Sequence, residues 1–208
     1  IAFDDYGNLF TGDNNCDAGD QARLVYVMEG GDCGWSMNFQ YINDRGPWMS
    51  EGWWKQRFDG QPAFLNPPIM HLGAGPSGFT HYPGFGLPEQ YAGSFFLVDF
   101  RGGAGGSGIW RFTLDPDGAG FKVDEQEQFW WKILATDVDF GPDGSLWASD
   151  WAQSWSGVGK GRMYRLNPPA SVDPAAMAAN ARLLASDFPA MKLDTLLGHL
   201  GHVDRRVR

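Results

Sequence analysis

Residues 11–35, TGDNNCDAGDQARLVYVMEGGDCGW, gather the side chains with the most evident chemistry in the chain. Asp13, Asn14, Asn15, Asp17 and Asp20 put carboxylate and amide oxygens into one bend. Hard cations such as calcium take about six to eight oxygens from carboxylates, amides and carbonyls, which makes Asp13, Asn14, Asn15 and Asp17 the candidate metal ligands. Asp, Asn and Gly also favour turns with no metal at all, and that alternative stays open. The spacing Asp13-x-Asn15-x-Asp17 begins like an EF-hand. Gly19 falls one place late, however, and Leu24 stands where the closing glutamate belongs, so an EF-hand is excluded.

Other reactive residue types are sparse. His71 and His81 are the histidines of the first 170 residues. His81 follows the turn Gly75-Pro76-Ser77-Gly78, where a polar ring can face a central cleft; it is a candidate cofactor-binding residue, set against the commoner hydrogen-bonded structural histidine. Ser77 sits in Gly-x-Ser-x-Phe, which is not a nucleophile elbow. Residues 102–106, GGAGG, lack the Lys-Ser/Thr of a phosphate loop. Cys16 and Cys33 flank one strand, and either bridge back across it or remain two thiols. No CxxC or CxxCH occurs, so this segment attaches no c-type haem.

The elements that must position these residues read as short strands. Phe3-Asp4-Asp5-Tyr6-Gly7-Asn8-Leu9-Phe10 returns 137 residues later as Phe140-Gly141-Pro142-Asp143-Gly144-Ser145-Leu146-Trp147, and Asp13 returns as Asp150. Each copy is a strand, an Asp/Gly turn and a strand. Propeller blades take roughly 40–50 residues, so the offset predicts about three blades between the copies. Gly108-Ile109-Trp110-Arg111-Phe112 is echoed by Gly161-Arg162-Met163-Tyr164-Arg165-Leu166. Residues 94–99, SFFLVD, predict a strand buried on both faces, and residues 22–29 and 136–140 predict two more. Residues 47–83 read as a long ordered excursion packed down by Trp48, Trp53, Trp54 and Phe58. Asp150-Trp151 closes a strand and is expected to be structural.

After Pro169 the pattern changes. Asp173-Pro174 is a helix start, residues 175–186 are alanine-rich, and Leu193, Leu196, Leu197 and Leu200 share one helical face. A third helix is expected from residue 203. The predicted organisation is residues 1–171 as the C-terminal half of a β-propeller and residues 172–208 as the start of a helical repeat region.

Composition agrees with an all-β body: aromatics make up 15% of the 208 residues, with ten Trp and 29 Gly. The net charge is −9, and basic residues do not cluster before the last few positions, so nucleic acid is not expected as a partner. No apolar run reaches the ~18 residues a membrane span needs. The start at Ile1 and the stop within a helical pattern suggest an internal piece of a longer protein.

Taken together, three segments carry a family resemblance: the 7–15 turn and loop with the 30–35 GGDCGW corner, the 75–82 GPSGFTHY segment, and the 141–151 GPDGSLWASDW segment. They resemble the later blades of soluble quinoprotein glucose/sorbosone dehydrogenases. The chain is most similar to the large proteins provisionally called membrane-bound dehydrogenases, which join such a propeller to HEAT-like repeats and a c-type haem domain. The resemblance implies an all-β fold: a partial six-bladed β-propeller of about three to four blades, with a short α-helical HEAT-like C-terminal segment. It implies calcium and pyrroloquinoline quinone on the top face, oxidation of a sugar or alcohol, an electron acceptor such as a cytochrome, and an extracytoplasmic, periplasmic or membrane-associated location. The backbone carbonyls of Asp13-Asn14-Asn15 would hold the calcium, and Arg101 falls near the family's quinone-contacting lysine, where a guanidinium pairs with a carboxylate. The pattern departs at residues 134–136, where Leu134, Ala135 and Thr136 stand in place of a pair of quinone-binding arginines. The family's catalytic histidine would lie upstream of this segment. The competing expectation is a cofactor-free propeller that binds carbohydrate or protein through the Trp48–Phe58 stretch.

Overall fold

A computed structural model describes residues 1–15, 21–33, 46–52, 57–58, 65–152, 155 and 159–208. Asp17, Asp20, Cys16, Trp35, Trp53 and Trp54 therefore lie outside the described residues, as does the side chain of Trp48. The strands are β1 (Ala2–Phe3), β2 (Leu9–Asp13), β3 (Arg23–Tyr26), β4 (Met70–His71), β5 (Pro76–His81), β6 (Phe95–Asp99), β7 (Gly108–Asp117), β8 (Gly120–Trp131), β9 (Ala135–Phe140), β10 (Leu146–Asp150) and β11 (Arg162–Leu166). The α-helices among the described residues are short: α1 (Gly46–Glu51), α2 (Pro174–Leu184) and α3 (Leu193–His199). The strands form three antiparallel meanders, β1-β2-β3-β4, β5-β6-β7-β8 and β9-β10-β11. The fold is a partial all-β propeller of three blades.

Alternation along β6 explains why one sheet serves two cores. Phe95 and Leu97 point to the first sheet, packing with Phe10, Leu24 and Phe79. Phe96 and Val98 point to the third, packing with Val138, Phe140 and Leu146. Successive side chains of a strand leave on opposite faces, so a strand between two blades must be apolar throughout. All five residues of β6 are buried, as the sequence predicts. The aromatic content is spent here: Phe10 meets Phe95 edge-on at 5.1 Å, and Phe95 stacks on Phe112 at 5.5 Å.

The repeat holds at the level of single hydrogen bonds. Asp4 N–H donates to Asn8 C=O at 3.1 Å, and Gly141 N–H to Ser145 C=O at 2.7 Å. Phe3 faces Leu9 as Phe140 faces Leu146, and Gly7 and Gly144 both have φ +82°, the left-handed region that favours glycine. The offset, however, spans two blades, not three. The first and third sheets own the two copies, because the excursion before β4 and the long β7–β8 hairpin stretch the intervening chain.

The first strands of the blades lie side by side. A Cβ on Gly78 of β5 would sit 2.5 Å from Asp137 Cα of β9, and Thr80 Oγ1 donates to Asp139 at 3.0 Å, so β5 and β9 run parallel in near register. This sets two ends. One, here the upper, carries the end of β2, the start of β5, the end of β6 and the end of β10. The other, lower end carries the turns at 4–8, 82–87 and 141–145.

The excursion at residues 47–83 holds β4 and β5, with α1 at its start, and Phe58 is exposed rather than packed down. Asp173 caps α2 by accepting from Ala175 N–H at 2.9 Å, as expected. Residues 203–208 are turns, which corrects the expectation of a third helix. Asp204 accepts the Arg206 N–H at 3.0 Å and its guanidinium at 2.7 and 2.9 Å, closing the backbone on itself. This tail returns to the lower end, where Arg205 N–H donates to Pro83 C=O at 2.8 Å and Arg206 to Phe140 C=O at 2.7 Å.

Candidate functional site

A carboxylate ends the second strand of every blade, and each is held in place. Asp13 takes the Arg23 guanidinium through Nε and Nη2 on one oxygen. Asp99 accepts from Ala74 N–H at 3.0 Å, Arg101 Nε at 2.8 Å and Trp110 Nε1 at 3.1 Å. Asp150 accepts from Leu134 N–H and Ala152 N–H, both at 2.7 Å. Asp99 and Asp150 thus tie the end of their strand to the chain entering the same blade. Burial pushes the Asp99 carboxyl up, but the bonds from Arg101, Ala74 and Trp110 outweigh it and hold the group below the usual carboxylate range. The structural role expected for Asp150 is what its contacts describe.

Asp13, the first candidate metal ligand, occupies the same position as Asp99 and Asp150, with its carboxylate committed to Arg23. Among the described residues no three His, Cys, Asp or Glu side chains gather into a group able to hold a metal ion. Asn14 and Asn15 follow Asp13 on the upper end with their carbonyl and amide oxygens; Asp17 lies outside the described residues. The described part of the loop therefore offers carbonyl and amide oxygens beside a carboxylate paired with Arg23. Cys33 is a free thiol whose carbonyl accepts from Arg23 at 3.0 Å.

Arg101 follows β6 on the same end. Asp99 fixes Nε and Nη2, the backbone N–H donates to Ser107 Oγ at 2.9 Å, and the side chain remains 44% exposed. Next to it lies an aromatic cluster absent from the sequence reading. Phe100 stacks on Trp151 at 5.7 Å, and Trp155 meets Trp151 edge-on at 4.7 Å. Trp155 is 76% exposed, and a Cβ on Gly102 would come within 3.3 Å of its Nε1. The upper end therefore presents an indole face beside an oriented guanidinium. That combination suits a planar or cyclic ligand with polar edges. The signal in the sequence was Asp150-Trp151 followed by Trp155; only the fold shows Phe100 beneath them.

His81 is not on this end. It lies toward the lower end of β5, 4% exposed, its ring edge-on to Phe95 at 4.6 Å. Burial and the nearby Arg205 lower its pKa to about 4, so the ring is neutral at pH 7. The two candidate cofactor residues, Arg101 and His81, are thus not brought together.

No helix among the described residues is long and apolar enough to cross a membrane. Neither a protein-family model nor a curated relative matches the chain. Its fold is similar to the crystal structure of a Thermus thermophilus protein assigned provisionally as an oxidoreductase (glucose dehydrogenase), with a TM-score of 0.54 at 17% sequence identity. The match covers 79% of this chain and 43% of that one, so the chain spans less than half the length of the structure it resembles, and the likeness is one of fold.

Proposed function

We propose that this chain is the C-terminal half of a quinoprotein-type propeller dehydrogenase that oxidises a sugar or an alcohol and passes the electrons to a haem or another acceptor. The observation that carries the reading is the fold likeness to the Thermus oxidoreductase across 79% of the chain. The upper end is the face on which such chemistry would be built. Pyrroloquinoline quinone, when bound, supplies a two-electron acceptor. Arg101 suits the task of orienting a carboxylate-bearing cofactor, since Asp99 holds its guanidinium in one direction; with its charge balanced by Asp99, it acts as a directed donor more than as a counter-charge. Trp155 and Trp151 offer an aromatic wall beside it. A calcium ion would be held through the carbonyl and amide oxygens of residues 13–15. HEAT-like repeats, a c-type haem domain outside this segment and an extracytoplasmic location belong to the same reading.

The test uses the full-length protein supplied with calcium and pyrroloquinoline quinone. Dye reduction that depends on the quinone and on at least one member of a sugar and alcohol panel is the expected result. Absence of reduction across the panel would sink the proposal. A second reading, a cofactor-free scaffold that binds carbohydrate or protein, is favoured by Arg23 and Arg101 both being paired with carboxylates and by Leu134, Ala135 and Thr136 standing where quinone-binding arginines are expected. Calorimetry with the quinone separates the two, because the scaffold gives no binding heat.

A further inference from the structure

The three blades are not equal. The first and second have four strands each, and the third has three. In the second blade the fourth strand, β8, reaches over its neighbour: Phe121 meets Phe10 and Tyr26 of the first sheet edge-on, both at 5.0 Å. In the third blade the outermost strand is β11, and among the described residues no strand pairs with its outer edge. The chain does not turn back to supply one. β11 runs into Asn167-Pro168-Pro169, and α2 begins at Pro174. Proline brings no N–H to a ladder, so this exit ends the sheet from its own side.

Two features at the fourth position show what fits there. The first is the edge itself. Met163 is 64% exposed, Leu166 is exposed and Tyr164 is half-buried. The two arginines of β11 do not blunt it. Arg165 is paired with Asp143 and lies over the Trp147 ring at 5.3 Å, and Arg162 is paired with Asp150, so both turn back toward β10 and its turn. β8, by contrast, sets Asp124, Glu125 and Glu127 along its edge. An apolar edge with unpaired backbone groups is a template for a further strand. The second feature is a groove of about 240 Å³ beside that edge, with Leu87, Pro88, Tyr91, Phe129, Leu166 and Pro169 in its walls. A fourth strand would cover Tyr91 and Phe129 there, as Phe121 covers Phe10 and Tyr26 one blade earlier.

We propose that the outer edge of β11 pairs with an extended segment of the same protein from outside residues 1–208, which completes the third blade by strand addition. This rests on the reading that the chain is one part of a longer propeller protein: the fold likeness accounts for 43% of the related structure, which leaves other residues to supply the strand. The other two blades define the occupant. It is a strand whose alternate side chains are apolar and seat on Tyr91 and Phe129, since successive side chains leave on opposite faces. A segment of the same polypeptide is favoured over a second copy, because a tether holds it at high effective concentration and spares the cost of association.

Hydrogen exchange of the full-length protein, resolved to single amides, tests the proposal. A strand paired on one edge exchanges alternate amides fast, whereas a strand paired on both edges exchanges all of them slowly. The amides of β11 are expected to be uniformly slow. Its outward ones should exchange at least about tenfold more slowly than the outward amides of β8, the one-sided reference in the same molecule. Dilution should leave this protection unchanged, because the strand is tethered. With photo-methionine in place of methionine, light should link position 163 to a peptide of the same polypeptide outside residues 1–208. Fast alternate amides in β11, protection lost on dilution, cross-links that join two copies, or no cross-link from position 163 to a residue outside 1–208 overturns the proposal. Each of these leaves the dehydrogenase reading standing, since that reading is judged by quinone-dependent dye reduction.

Discussion

Asn180 of α2 donates its side-chain amide to Asp204 of the tail at 2.9 Å, and Asp204 is fully buried where they meet. The same amide nitrogen reaches Pro142 C=O at 2.7 Å, in the first turn of the third blade. A helix, a tail and a blade therefore share one polar contact, and the helical segment is docked on the propeller.

Asp204→Ala tests that docking. Removing the carboxylate strands Arg206 and Asn180, and breaking a buried pair costs about 3–5 kcal/mol. Asn180→Ala, which leaves the Asp204–Arg206 pair intact, should cost only about 1–2 kcal/mol. Urea denaturation measures both. A loss below about 1 kcal/mol in Asp204→Ala would mean that the tail does not hold the blades.

Acid should destabilise the fold in two stages. His81 has a folded pKa of about 4 against an ordinary value of 6.5, so between these the unfolded chain binds more protons than the folded one. Stability is complete above pH 6.5 and declines as pH falls to 4, by roughly 3 kcal/mol in all. Asp99 and Asp204 are held below their usual range, so their contribution is present above about pH 4 and disappears as pH drops through their folded values. In His81→Gln the slope between pH 6.5 and 4 should flatten while the lower stage persists. An unchanged slope would show that His81 protonates freely in the folded chain.

Much of this architecture is legible in the chain. The β6 run announces a strand between two layers, and the Asp/Gly turns at 4–8 and 141–145 repeat down to their hydrogen bonds. β8 is harder to read, because an outer strand needs no apolar face; its Asp124, Glu125 and Glu127 instead blunt an exposed edge. The tail carried a helical signal that lost to Asp204, whose side chain captures the local N–H donors. The candidate sites divide in the same way. Asp13, Asn14 and Asn15 are visible as an oxygen-rich loop, but a partner ten residues on, Arg23, is disclosed only by strand pairing. Arg101 and Trp155 are likewise far apart in sequence, and the Phe100–Trp151 stacking that brings them to one end shows only in the fold.

Gly78 is the tightest test of the blade packing. A methyl group there would press on Asp137 Cα and on Val138 N, both backbone atoms that have no room to give. Gly78→Ala should cost about 2 kcal/mol or more through overpacking. Gly103→Ala is the control: nothing lies within 4 Å of its added Cβ and its φ of −145° is open to any residue, so its effect should stay within about 0.5 kcal/mol. Equal melting temperatures for the two variants would disprove the close approach of β5 and β9.

Asp13 decides between a structural and a metal-binding carboxylate. The Asp13–Arg23 pair is largely buried, so Asp13→Ala leaves a guanidinium with a lost counter-charge and should destabilise by about 3 kcal/mol. If the carboxylate serves the blade as Asp99 and Asp150 serve theirs, that loss is the same in calcium and in chelator, because the carboxylate makes no bond to an ion. If the carboxylate itself ligates calcium, the loss grows when calcium is present, since only the parent chain then gains binding free energy. Thermal melts of both chains, with calcium and with chelator, give the four numbers needed. Their double difference should be zero, and a value above about 1 kcal/mol would return Asp13 to the metal.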